Sequence, residues 1–116
     1  MSVNITNLEY LLNVTGGESS LMEEMINIFI EQSEEYLTEI KILFEEKEWI
    51  KLAALAHKAK SSVAMVGLEE LKSDLTEFEI KLKAGEDVDS YKNYVDKFIS
   101  SYNQAVIELN HYLDNN

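Results

Sequence analysis

Apolar residues recur at intervals of three and four through most of this chain, and no proline interrupts them. That spacing places side chains on one face of an α-helix, whereas a strand requires strict alternation of apolar and polar residues. The longest apolar stripe comprises Met22, Met25, Ile26, Phe29, Ile30, Leu37, Ile40 and Phe44. Because no stretch of the sequence has the alternation of a strand, the pattern predicts an all-α protein.

The apolar pattern predicts five helices. A short first helix is expected over residues 7–14, and longer helices over residues 20–46, 49–65, 68–83 and 89–112. Amphipathic helices of this length with short connections are typical of an antiparallel four-helix bundle, and the short extra N-terminal helix would cover one end. A length of 116 residues suits one domain, so residues 1–116 are interpreted as a single domain.

Polar residues and glycines mark the predicted helix ends. The expected N-terminal caps are Thr6 with Glu9, Ser20 with Glu23, and either Asp87 or Asp89. Side-chain oxygens at such positions accept hydrogen bonds from the free N–H groups of the first turn. The sequence Gly16-Gly17, together with Gly67 and Gly85, would end three helices, because glycine readily adopts the left-handed conformation of a C-terminal cap.

His57 lies on the side of the third predicted helix that should face solvent. The apolar arc of this helix comprises Leu52, Leu55, Ala56, Ala59, Val63 and Val66. At 100° per residue, His57 is about 150° from the centre of that arc. Its neighbours on the same side are Ile50, Ala53, Ala54, Lys60, Ser61 and Ala64. A solvated face usually carries many charges, so these mostly small, uncharged side chains indicate a surface on which a large partner could pack and reach the imidazole.

The charge distribution distinguishes the same segment. The chain has a net charge of −12, yet no Asp or Glu occurs between residues 49 and 68. Lys51, Lys58 and Lys60 all lie within this window. A lysine one turn from a histidine would stabilise an anion on the ring. The pattern therefore favours a histidine that carries or meets negative charge.

The spacing of His57, Lys60, Ser61 and Gly67 resembles the signature of histidine-containing phosphotransfer (HPt) domains. In that family a lysine follows the histidine at plus three, a small residue at plus four and a glycine at plus ten. Residues 48–57 are similar to the approach to the family's histidine. The flanking helices are similar at Phe29, Leu37, Ile40, Leu43, Leu71, Leu75, Phe78 and Glu79. The resemblance covers roughly residues 7–113, with one departure: Ser61 stands where glycine is most frequent.

The resemblance implies a phosphocarrier in a two-component multistep phosphorelay. His57 would accept a phosphoryl group from a receiver-domain aspartate through Nε2 and pass it to another receiver. Lys60 would stabilise the phosphoryl charge, Ser61 would permit close approach, and Gly67 would have a structural role in closing the helix. The candidate docking residues are Ile50, Ala53, Ala54, Lys58, Ala64 and Met65. The expected partners are receiver domains of response regulators or of hybrid sensor histidine kinases.

Other activities and compartments are disfavoured by the composition. The receiver would supply the divalent metal, so the chain needs no cofactor or metal of its own, and no kinase motif is present. The chain has ten lysines and no arginine against 22 acidic residues, which argues against binding to nucleic acid. No apolar run approaches the roughly 20 residues that cross a bilayer, and residues 1–12 lack the features of a signal peptide. The absence of cysteine fits a reducing compartment. We expect a cytoplasmic monomer.

Two other classes of protein remain open from the residues alone. In the first, the chain is a non-catalytic helical adaptor that binds a partner through the His57 face and never carries phosphate. In the second, the same face is the subunit contact of a homo-oligomeric bundle. Phosphate on His57 would separate the phosphocarrier from the adaptor, and burial of the His57 face in a stable dimer would argue against a phosphorelay.

Overall fold

The computed structural model describes residues 4–115, and these form an all-α structure without β-strands. The α-helices are α1 (Glu9–Thr15), α2 (Ser19–Glu45), α3 (Trp49–Met65), α4 (Glu69–Ala84) and α5 (Tyr91–Asp114). A short 3₁₀ turn, Val88–Ser90, precedes α5. The all-α prediction is confirmed. The predicted helix limits lie within two residues of these, whereas the predicted domain limits include residues 1–3 and 116, which lie outside the described range.

Helices α2 to α5 form an antiparallel four-helix bundle, as predicted. Each helix packs against the next along the chain, and α5 returns to pack against α2. The connections at residues 46–48 and 66–68 are too short for anything but a reversal of direction. The α3–α4 pair is the most extensive contact of the bundle, and α1 packs on α2. None of the described helices combines the length and apolar character needed to span a bilayer.

The core is dense in aromatic side chains that the apolar stripes bring together. The ring of Tyr102 stacks on Phe29 with centroids 5.4 Å apart and on Phe98 at 4.5 Å. Tyr91 is also fully buried, so the tyrosines of the last helix contribute to packing. Burial of each such side chain favours the folded state by about 1.5–3 kcal/mol. Leu11 from α1 is fully buried and covers one end of the bundle.

The predicted N-terminal caps are wrong. Leu8 occupies the cap position of α1, and the Thr6 hydroxyl donates instead to Glu108 Oε1 at 2.7 Å. Helix α2 is capped by Glu18, whose carboxylate accepts from the Ser20 N–H. No side chain caps the 3₁₀ turn or α5; Asp87 pairs with Lys81 instead, at 2.9 Å. A capping motif is predicted from a few adjacent residues. Here Thr6 and Asp87 bond to residues outside their own motifs, and Glu18 caps α2 in place of Ser20.

Residues 5–7, which we call the N-terminal segment, connect α5 to the end of α3. The buried Glu108 carboxylate accepts hydrogen bonds from the Ile5 N–H at 3.0 Å and from the Thr6 N–H at 2.9 Å. The Gln104 side chain donates to the same carboxylate at 3.0 Å. One residue later, the Asn7 N–H donates to the Val66 carbonyl at 2.9 Å. One glutamate therefore anchors the segment that packs against the end of the His57 helix.

Gly67 lies where the N-terminal segment passes closest to the α3–α4 connection. Its φ of +73° is a conformation that side chains disfavour. A Cβ atom here would also lie closer than 3.0 Å to the backbone nitrogen and carbonyl oxygen of Asn7. Glycine at this position thus does more than close the helix, because it also makes room for a second stretch of backbone.

Candidate functional site

His57 lies on the outer side of α3, and its side chain is 70% exposed. Its Nδ1 atom lies 3.2 Å from Oε1 of Glu79, which reaches across from α4. With Nδ1 directed toward α4, Nε2 is the ring nitrogen on the exposed side. Ile50, Ala54 and Ser61 are also exposed along this side of α3. The helix places His57 in solvent, as the sequence predicts, and leaves one ring nitrogen accessible to a partner.

Glu79 is the centre of the site, and its side chain is only 9% exposed. Its Oε1 atom lies 2.9 Å from the Lys60 ammonium, and its Oε2 atom lies 2.7 Å from that of Lys83. We call these three residues and His57 the Glu79 cluster. The bonds from Lys83 and Lys60 lower the pKa of Glu79 to about 2, against the opposing effect of burial and with a further contribution from His57. The carboxylate is therefore ionised at neutral pH.

An ionised Glu79 determines which nitrogen of neutral His57 carries the proton. A carboxylate can only accept hydrogen bonds, so Nδ1 must donate through an N–H. In a neutral imidazole the other nitrogen then has a free lone pair. The geometry thus presents Nε2 as the nucleophilic atom, on the exposed side of the ring.

Lys60 lies one turn after His57, as its spacing requires, but its ammonium group is not free. The bond to Glu79 holds it, and its side chain is 23% exposed. The absence of acids between residues 49 and 68 is therefore a property of α3 alone, since α4 supplies a carboxylate to the same site. Sequence reasoning assigned no role to Glu79 or Lys83. The available signal was a glutamate directly after the inward-facing Phe78, with a lysine four residues later.

A shallow groove lies between α2 and α3 beside His57. The Lys58 ammonium lies over the Tyr36 ring, 5.2 Å from its centroid. The groove is lined by Ile28, Gln32, Tyr36, His57, Lys58, Ser61, Ser62 and Met65. The predicted Ser61 therefore lies in an open depression next to His57. The contributions of Ile28, Gln32 and Tyr36 were missed, because no pattern within α3 reveals which side chains of α2 lie beside it.

The predicted docking residues divide into three groups. Ile50, Ala54 and Lys58 are exposed, and Ala64 and Met65 are half-buried. The assignment of Ala53 is wrong, because this residue is only 1% exposed. It lies four residues before His57 on the side of α3 that faces α4. A small residue there lets the two helices approach closely, so Ala53 contributes to packing and does not reach the surface.

The second histidine is remote from the Glu79 cluster. His111 lies exposed in the last turn of α5, where its backbone carbonyl accepts a hydrogen bond from the Asn115 side chain at 2.7 Å. Within residues 4–115, no group of three or more His, Asp or Glu side chains is arranged to hold a metal ion. The chemistry that the structure brings together is that of one imidazole, one carboxylate and two ammonium groups.

The segment of the chain that contains this site matches a described family of domains. The sequence model of the Hpt domain matches residues 24–114. That range runs from the second turn of α2 to the end of α5 and contains the whole Glu79 cluster. Neither the curated proteins nor the solved structures yield a match to the chain.

Proposed function

This chain belongs to the Hpt domain family, and on that premise we propose that His57 accepts a phosphoryl group from a receiver-domain aspartate and passes it to another receiver. The family as a whole carries phosphoryl groups on histidine in phosphorelays. The supporting observation is that His57 is exposed on a helix face while an ionised carboxylate contacts its Nδ1 atom. This arrangement leaves Nε2 free to act as the nucleophile.

The proposed transfer needs little rearrangement of this chain. The lone pair of Nε2 attacks phosphorus, the Nε2–P bond forms, and the bond between phosphorus and the aspartyl oxygen breaks with its electrons going to the carboxylate. The proton on Nδ1 remains there, facing Glu79. Because phosphoryl transfer depends mainly on positioning and charge neutralisation, a rigid helix face suits it. The receiver would supply the aspartate and a divalent metal, and this chain would have no kinase activity of its own.

The charges around His57 suit an incoming phosphoryl group. Lys60 and Lys83 carry two positive charges against the single negative charge of Glu79. Lys60 is on the same helix as His57, and its bond to Glu79 holds its ammonium near the ring. We assign Lys60 to stabilising the phosphoryl charge, because a positioned ammonium loses less entropy on binding an anion than a free one does.

The receiver would dock on the exposed side of α3 and in the groove toward α2. Exposed apolar atoms of Ile50 and Ile28 flank the two ends of this surface, and Ser61 is small enough to admit partner backbone near His57. Such a surface suits a folded partner better than a small substrate. We also propose that the protein is a cytoplasmic monomer that binds neither nucleic acid nor membranes.

Labelling of His57 tests the proposed function. The purified protein is incubated with a phosphorylated receiver domain or with a small phosphoramidate donor, and acid-labile, alkali-stable phosphate is measured. We expect labelling of the parent protein, none of His57→Gln, and full labelling of the matched control His111→Gln, which removes the other histidine. A folded parent protein that neither donor labels would refute the phosphocarrier and favour the adaptor.

Replacement of Lys60 tests its assigned role. Lys60→Met keeps most of the aliphatic side chain and removes the charge, so we expect phosphoryl transfer from a receiver to slow about tenfold, equivalent to about 1.4 kcal/mol in the barrier. The measurement is the rate of transfer in a rapid-mixing assay. Lys51→Met, an exposed lysine on the same helix, is the control and should transfer at the parent rate. Equal rates in both variants would remove Lys60 from the mechanism.

A further inference from the structure

Glu79 contacts His57 in a way that bears on the phosphorylated state. Its Oε2 atom is bound to Lys83, and its Oε1 atom is shared by Lys60 and His57 Nδ1 at 2.9 Å and 3.2 Å. Within the described residues, these are the three titratable groups in contact with it, two from α3 and one from α4. The carboxylate is buried beside Nδ1 of the ring, where water screens its charge less than at the surface.

The reactivity of a phosphohistidine depends on the proton at the other ring nitrogen. When the Nε2–P bond breaks, its electrons return to Nε2. A ring protonated at Nδ1 then leaves as neutral imidazole, whereas an unprotonated ring must leave as imidazolate, which is a far poorer leaving group. A carboxylate beside Nδ1–H stabilises the positively charged, protonated ring. An uncharged amide oxygen could accept the same hydrogen bond without providing that charge.

We infer that the negative charge of Glu79 keeps the phosphohistidine at His57 protonated on Nδ1, and so makes it short-lived and easily transferred. This inference rests on the proposed function. Glu79 is a positioning residue with an electrostatic effect, because it touches the ring but not the phosphoryl group. The two lysines hold the carboxylate in place and attract the incoming phosphoryl group, while the carboxylate is the charged group in direct contact with Nδ1.

The consequence is a carrier suited to rapid exchange and not to storage. The protonated ring is the product when Nε2 attacks an aspartyl phosphate, since the Nδ1 proton is already present. The same protonated ring is the reactive species when the group moves onward. A larger fraction of phosphohistidine with a protonated ring therefore favours transfer in both directions, and it also speeds the loss of phosphate to water.

The lifetime of the phosphorylated protein tests this inference. The protein and Glu79→Gln are labelled with a small phosphoramidate donor, the donor is removed, and decay of the phosphohistidine is followed from acidic to alkaline pH. We expect the half-life of Glu79→Gln to be about tenfold longer at neutral pH, because a neutral amide beside Nδ1 does not stabilise the positively charged ring as a carboxylate does. We also expect the pH profile of hydrolysis to move to lower pH, which a purely structural role would not produce.

Further variants separate the charge of Glu79 from the side effects of replacing it. Glu77→Gln makes the same charge change at an exposed position of the same helix, and its half-life should equal that of the parent protein. Glu79→Gln also releases Lys83, which could stabilise the phosphoryl group, so the comparison is repeated without that lysine. Glu79→Gln/Lys83→Met should have a longer half-life than Lys83→Met, and equal half-lives of these two variants would refute the inference.

Measuring whether the protein is labelled at all distinguishes failure of the proposed function from failure of the role assigned to Glu79. No label on a folded parent protein would overturn the proposed function itself. Labelling of both parent and Glu79→Gln, with equal half-lives and superimposable pH profiles, would overturn only the role of the Glu79 charge. Far-ultraviolet circular dichroism of each variant confirms that the bundle is intact in the decay experiment.

Discussion

Gly67→Ala is expected to lower the free energy of unfolding by about 3 kcal/mol. A left-handed conformation costs a residue with a side chain about 1–2 kcal/mol. The new methyl group would also overlap the backbone of Asn7, which is not the flexible end of a side chain. Moving Asn7 away would break its hydrogen bond to Val66, with a further loss of about 1 kcal/mol.

Gly85→Ala is the matched control for this effect. Gly85 has a φ of +66°, close to that of Gly67, yet a Cβ atom there would meet no atom within 4 Å. We therefore expect only the conformational cost, about 1–2 kcal/mol. Urea unfolding of both variants measures how much more stability Gly67→Ala loses than Gly85→Ala. This difference reports the contact with Asn7. Equal losses of stability would show that the N-terminal segment shifts freely and that Gly67 is needed only for its backbone angles.

Glu108→Gln is expected to destabilise the protein by about 2 kcal/mol, because hydrogen bonds to a charged acceptor contribute about 1.5–3 kcal/mol each. The carboxylate accepts from the backbone of Ile5 and Thr6, from the Thr6 hydroxyl and from Gln104. A glutamine offers one acceptor oxygen, and its NH₂ group would face donors. Urea unfolding at neutral pH measures the loss. Gln104→Ala, which removes one donor, is the comparison and should cost less.

The same residue should contribute to acid sensitivity. Burial raises the pKa of Glu108, but the hydrogen bonds from Ile5, Thr6 and Gln104 outweigh it, so the folded-state pKa lies below the ordinary value of 4.5. A lowered folded-state pKa means that the stabilisation is fully present above the unfolded-state pKa and is lost as the pH falls through the folded-state value. The pKa of Glu79, about 2, acts in the same direction.

Comparison of unfolding at neutral pH and at about pH 3 tests this assignment, since linkage predicts a change only for groups that titrate between. The parent protein should lose more stability on acidification than Glu108→Gln, which has no carboxyl group to protonate at this position. An identical loss in the two proteins would mean that the Glu108 carboxylate has the same pKa in the folded and unfolded states.

The sequence predicts those features of the fold that depend on one helix at a time. Apolar spacing determined the number and approximate limits of the helices, and the angular position of His57 on α3 predicted its exposure. The caps failed for a different reason. The Thr6 hydroxyl that could have capped α1 bonds to Glu108, 102 residues away, and no local motif reports such a partner.

In the candidate site, too, the contacts within one helix could be predicted from the sequence and the contacts between helices could not. His57 and Lys60 lie at related positions of one helix, so their proximity could be read from spacing. Glu79 enters from α4, and its contact depends on the packing angle and register of two helices, which the pattern within either one does not specify. Ala53 was misassigned for the same reason, because a helical wheel places it toward the exposed side while the neighbouring helix covers it.

The course of the N-terminal segment has a practical consequence for attaching this protein to other molecules. Asn4 lies beside Gln104, Ile107 and His111 on α5, and α5 is diagonal to α3 in the bundle. A fluorescent label or a sensor surface attached at residue 4 would therefore lie beside α5 and away from His57. A protein immobilised through this position would keep the His57 face open to partners in solution.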